Sequence, residues 1–157
     1  MDIFDPQKNA VFEHAMARLF LAKKKGKVVG RIAAMINWVE IEELKKTKVR
    51  FGWYDTIDDL EVSQKLIEAV EAVAIAEGMT YIEGPMGFSN MDKAGLLIHG
   101  YEHMNTMITW YHYPYQKVHL LTVVHRVAHS LPFHHRSKWK LQHAKKSSLT
   151  STVVVFW

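Results

Sequence analysis

The run Glu83-Gly84-Pro85-Met86-Gly87-Phe88-Ser89-Asn90-Met91-Asp92 admits few backbone paths. Proline fixes its own φ and offers no donor, while glycine adopts conformations closed to other residues, so Gly84, Pro85 and Gly87 impose a tight course. Met79-Thr80-Tyr81-Ile82-Glu83 reads as a short strand, so this loop leaves a strand end. Ser89, Asn90 and Asp92 then bring three polar side chains together, either as an Asn or Asp cap on a connecting loop or as a site. Ser89 and Asn90 are the candidate substrate contacts.

Around this loop the periodicities alternate. Asn9 to Ala17 suits a short helix, and Arg18 to Ala22 a strand. Lys23-Lys24-Lys25-Gly26 turns the chain into a second strand, Lys27 to Asn37, giving a β-hairpin whose lysine tip reads as a solvated turn. Glu40 to Lys46 forms a polar excursion before a strand over Lys48 to Tyr54, in which Gly52 is a candidate bulge. Asp58 and Glu61 have the spacing of a helix-capping pair. Leu60, Leu66, Ile67, Val70, Val73 and Ala74 continue as an apolar stripe, and Gly78 ends the helix. Ala94 to Ile98 suits a helical turn and Thr106 to Tyr111 a further strand. Strands on both sides of one well-formed helix give an α/β core with a mixed sheet.

A chain of 157 residues, 48% hydrophobic, holds one domain with a real core. It has no apolar run near the ~20 residues of a membrane span and no signal-peptide pattern at Met1 to Asp5, so a cytoplasmic location is expected. The absence of cysteine excludes disulfides, thiolate catalysis and cysteine-ligated metals. Charge divides the chain unevenly. Residues 1–102 carry 13 Lys and Arg against all 16 acids, and residues 103–157 carry 7 against none, with 8 of the 10 histidines.

The segments Phe12-Glu13-His14-Ala15, Gly26 to Ala34, Asp55-Thr56-Ile57-Asp58-Asp59 and Gly84-Pro85-Met86 through Leu97 resemble one bacterial branch of the Gcn5-related N-acetyltransferase (GNAT) superfamily, the acyl-CoA N-acyltransferases. The resemblance covers roughly residues 6–119. It implies a mostly antiparallel mixed sheet flanked by helices, and acetyl-CoA or a longer acyl-CoA as co-substrate with no metal. In such a fold the strand carrying Phe51, Gly52, Trp53 and Tyr54 splays from its neighbour and pairs with pantetheine. The amides opening the next helix, here at Asp58 and Asp59, would take the pyrophosphate. The superfamily has Arg or Gln and spaced glycines at that turn; the acids here repel the same anion. The resemblance also implies transfer to a small-molecule or lipid-like amine, with Tyr113 or Tyr115 as acid toward the leaving thiolate and Asp92 or Glu83 relaying the amine proton. A non-catalytic binding or interaction module of the same fold is the alternative. A homodimer is the assembly to test for.

Beyond Leu120 the expected acid-containing helix and strand are missing, although Leu121 to Val124 reads as a strand. The composition divides the chain into a domain over 1–120 and a basic, histidine-rich tail over 121–157, as a shifted reading frame or truncated gene would produce. His125 with His129, or His134 with His135, lacks the acids and spacing of a metal site. The basic charge of the tail with Trp139, Phe156 and Trp157 gives a third reading, nucleic-acid binding, which the sparse aromatics support only weakly.

Overall fold

The computed structural model describes residues 2–130 apart from Asn90, Thr106 and Ile108. The elements run in the order β1 (Ala15–Lys24), β2 (Lys27–Asn37), α1 (Trp38–Leu44), β3 (Lys48–Thr56), α2 (Leu60–Ala76), β4 (Tyr81–Glu83) and α3 (Pro114–Ser130), preceded by 3-10 turns at Asp2–Phe4 and Ala10–Glu13. The strands form one sheet in the order β1-β2-β3-β4; the first three pair antiparallel, and β4 joins β3 in parallel. This is the expected mixed α/β architecture.

Local chemistry explains the boundaries. The hairpin turns on Lys25 and Gly26, both at positive φ. Asn37 accepts from the Val39 amide to start α1, and Lys45 closes it in the left-handed region. Helix α2 is capped by Asp59, whose carboxylate accepts from the Glu61 amide; Asp58, the expected cap, lies one residue outside. Gly78, at φ +68°, lets the chain leave α2.

One sheet face packs on α2. Ile32, Ala34, Ile36, Val49 and Phe51 meet Leu66, Ile67, Val70 and Val73 in the main core, which Leu96, Ile98, Leu120 and Val123 complete. On the other face Ala15, Ala33, Met35 and Phe88 form a smaller cluster, covered by Phe4, Phe12 and Trp53. Beneath the sheet's end, the buried Lys48 and Arg50 of β3 meet the part-buried Glu40 of α1 and Glu83 of β4 in a quartet of two cations and two anions. Lys48 lies 3.2 Å from Glu40 and 2.5 Å from Glu83; Arg50 lies 2.6 and 3.2 Å from the same two carboxylates. Arg50 also donates to the Phe88 carbonyl, which ties the Gly84–Asp92 loop to the sheet.

Four expectations are corrected. Asn9 to Ala17 is divided between a 3-10 turn and the start of β1, because Ala15 and Ala17 pair with Asn37 and Met35. Ala94 to Ile98 has no helical turn: Leu96, Leu97 and Ile98 are buried as irregular chain. Among the described residues of 106–111 there is no strand. Leu121 to Val124 is helical, within α3, because Leu120 and Val123 stand three apart and both enter the core. Helix α3 thus crosses the composition boundary at 120/121, and residues 131–157 lie outside the described residues. No helix among the described residues is long and apolar enough to cross a membrane.

Candidate functional site

The site arises where β3 bulges and the chain beyond β4 turns away. In the β2–β3 register Ala33 faces Gly52 and Arg31 faces Asp55, so Trp53 and Tyr54 together oppose Ile32. Trp53 takes φ +48°, a left-handed conformation costly for a bulky residue, and this inserts the extra residue. Its ring contacts Phe4 edge-on at 4.6 Å and Phe88 at 6.2 Å, while Tyr54 enters the main core. On the opposite edge, β3 pairs with β4 only over Lys48 to Arg50.

After Glu83 comes a cis Gly84–Pro85 bond, and the Met86 amide donates to the Phe51 carbonyl at 2.8 Å. A Cβ on Gly52 would stand 2.1 Å from the Met86 carbonyl oxygen, so the two chains touch there. Beyond this point they separate around a cavity of about 150 Å³. Arg31, Trp53, Tyr54 and Asp55 form one wall, and Pro85, Trp110, Tyr111, His112, Tyr113 and Gln116 the other.

The expected cofactor strand is therefore divided. Trp53 and Tyr54 line the cavity, but Phe51 and Gly52 do not: Phe51 is 1% exposed with its carbonyl occupied, and Gly52 is pressed against Met86. At the helix opening, Asp59 binds the Lys24 ammonium at 2.6 Å as well as the Glu61 amide. Lys24 holds the Asp59 carboxyl below its usual range, chiefly through that hydrogen bond. Asp58 reaches His119 Nε2 at 3.1 Å. Both carboxylates are engaged within the protein.

Of the four expected proton-transfer residues, Tyr113 lines the cavity and is half exposed. Tyr115 stacks on it with centroids 5.6 Å apart, but its hydroxyl donates to the Thr56 carbonyl at 2.8 Å, outside the cavity lining. Burial raises the Tyr115 phenol above its ordinary pKa. Glu83 sits in the quartet and Asp92 closes its own loop, accepting from the Ser89 amide at 2.9 Å; neither lines the cavity. Ser89 is held in that turn, its hydroxyl accepting from the Met91 amide, and Asn90 is outside the described residues.

Sequence reasoning missed Arg31, Asp55, Trp110, Tyr111, His112 and Gln116 as wall residues. His112 is 3% exposed, and burial lowers its pKa to about 4, so the imidazole is neutral at neutral pH. The Leu97 amide donates to its Nδ1 at 3.4 Å. Gln116 accepts from the Tyr113 amide at 2.9 Å and approaches Asp55 at 3.5 Å. Tyr113-Pro114-Tyr115-Gln116, with proline at the first helical position and glutamine two residues later, is a helix-start signal that could have located α3.

A buried relay fixes the bulge from behind. The Tyr54 hydroxyl donates to Ser63 Oγ at 2.9 Å, and Ser63 lies 2.9 Å from His119 Nδ1. With Asp58 on the other nitrogen, this chain joins β3, α2, α3 and the loop between β3 and α2. Desolvation pushes the Tyr54 phenol up to about 12, so it stays protonated. Among the described residues, no group of three or more His, Asp or Glu side chains could hold a metal ion.

No family model matches the chain, and no solved structure matches it. Among curated proteins, it is 37% identical over 95 residues to Protein YghO of Escherichia coli (strain K12), covering 60% of this chain and 24% of that protein. It is 34% identical over 102 residues to Bacterial ceramide synthase of Caulobacter vibrioides (strain NA1000 / CB15N), covering 64% of this chain and 27% of that protein. The chain thus spans about a quarter of the length of these curated relatives.

Proposed function

We propose that this chain carries the thioester-binding part of a GNAT-like N-acyltransferase, one that moves an acyl group from a pantetheine thioester such as acyl-CoA to a lipid-like amine. The observation that carries this reading is the bulge at Trp53 and Tyr54, set beside a cavity that opens where β3 and the chain after β4 diverge. Divergence exposes backbone polar groups that a pantetheine arm, itself a chain of amides, can satisfy. The similarity to Bacterial ceramide synthase supports the reaction class, since a ceramide is an amide of a long-chain amine.

In this reading the amine nitrogen attacks the thioester carbon, the C–N bond forms and the C–S bond breaks. Asp55, the lining carboxylate, takes the amine proton toward solvent, and the Tyr113 hydroxyl protonates the leaving thiolate. His112 and Gln116 shape the wall that positions them. The second reading, a non-catalytic module of the same fold, is favoured by Asp59, which fills the helix amides where a donor's pyrophosphate would sit.

Trp53 and Trp110 in the cavity walls supply the test. Saturable quenching of their fluorescence by an octanoyl-pantetheine thioester, with thiol release when a long-chain amine is added, is the expected result. Binding without any thiol release would favour the non-catalytic module, and absence of binding by every pantetheine thioester would overturn the acyl-transfer reading.

A further inference from the structure

We infer that the acyl donor arrives on the phosphopantetheine arm of a small acidic carrier protein, which docks on the outer face of the β1–β2 hairpin. The inference rests on the acyl-transfer reading above and names its donor.

Among the described residues, the corner that opens α2 does not cradle the nucleotide end of coenzyme A. The opening amides of α2 are met by the Asp59 carboxylate, Lys24 is bound to that carboxylate, and Asp58 and Glu61 add negative charge at the same corner. A pyrophosphate placed there meets three carboxylates. A carrier-borne donor presents the same pantetheine thioester with one phosphodiester and no nucleotide. It reaches the cavity without using that corner.

The hairpin supplies what such a carrier needs instead. Leu19, Leu21 and Val28 are 58%, 60% and 56% exposed. Beside them Lys23, Lys25 and Lys27 are exposed and enter no ion pair among the described residues. An apolar centre with unpaired ammonium groups at its rim complements an acidic protein surface.

The patch is also continuous with the cavity. Leu21 pairs with Arg31 and Leu19 with Ala33, so these side chains share one sheet face. Arg31 lines the cavity. An arm leaving a carrier docked over Leu21 therefore enters the cavity beside Arg31, whose half-exposed guanidinium lies 3.7 Å from the Asp55 carboxylate and has further donors to turn to the phosphodiester.

Binding of fluorescently labelled octanoyl acyl carrier protein, followed by anisotropy against octanoyl-CoA as the alternative donor, tests this on the full chain. The expected result is tighter binding of the carrier-borne thioester. That affinity should fall about tenfold in a Lys23→Glu/Lys25→Glu variant, whose exposed positions at the strand end and turn leave the fold intact, and fall again with rising salt. A Leu21→Asn variant should weaken binding independently of salt. Octanoyl-CoA bound as tightly as the carrier, or carrier affinity unmoved by both variants, would overturn the inference while leaving the acyl-transfer reading in place. Failure of both donors to bind would remove both.

Discussion

A methyl group added at position 52 is the smallest change that should force β3 and the chain after β4 apart. Alanine there would place its Cβ 2.1 Å from the Met86 carbonyl oxygen, a backbone atom with no rotamer by which to yield. Gly52→Ala is expected to cost about 3 kcal/mol, against about 1 kcal/mol for Gly26→Ala at the open hairpin turn, measured as the difference in urea unfolding free energies. His112 makes a pH prediction. Its folded pKa, lowered from 6.5 to about 4 by burial, means that below pH 6.5 the unfolded chain takes up a proton that the folded chain refuses. Stability present above pH 6.5 is therefore lost as pH falls toward 4, by about 3 kcal/mol for this group. Thermal melts across that range should show the slope, and His112→Gln should flatten it. A bulge in this strand was legible from Gly52, but the structure puts it one residue on, at Trp53 and Tyr54, while Gly52 pairs with Ala33 and serves the close approach of Met86. His112 was not legible, because nothing in Tyr111-His112-Tyr113 distinguishes a buried imidazole from an exposed one.

Strands and helices were legible where a local signal and the tertiary environment agreed. Lys25 and Gly26 fix the hairpin turn, and the predicted bounds of β2, Lys27 to Asn37, match the structure. The stripe from Leu60 to Ala74 likewise faces the sheet. Agreement fails between β4 and α3, where Leu96, Leu97 and Ile98 are apolar because irregular chain is buried over the core, a need that periodicity cannot express. The Thr122-Val123-Val124 run has strand propensity but lies in a helix, since Leu120 and Val123 must reach the same core. Glu83, expected to relay a proton, links β4 to β3 through Lys48 and Arg50, which also bind Glu40 of α1. Glu83→Gln should therefore destabilise the fold by about 3 kcal/mol, since it removes from the buried Lys48 and Arg50 a carboxylate that both of them bind. Adding Lys48→Met restores the charge balance and should recover most of the loss in chemical denaturation. A carboxylate acting only in proton transfer would show no such rescue.

The described residues form a sheet with α2 on one face and α3 pinned by the Asp58–His119–Ser63–Tyr54 chain. Removing the imidazole should loosen α3 without unfolding the sheet. In His119→Ala, amides of the described part of α3 are expected to exchange about tenfold faster, with β2 and β3 amides nearly unchanged and a loss of about 2 kcal/mol in overall stability. Hydrogen exchange read peptide by peptide distinguishes this from global destabilisation, which would accelerate every element together. The quartet of Glu40, Lys48, Arg50 and Glu83 has a different kind of consequence. The buried Lys48 and Arg50 share the two part-buried carboxylates, so a change at one position is penalised until a second restores the balance of charge. Positions 40, 48, 50 and 83 therefore form a single heritable unit: neutral drift through any one of them is blocked, and a descendant that loses the network must replace its opposite charges in pairs.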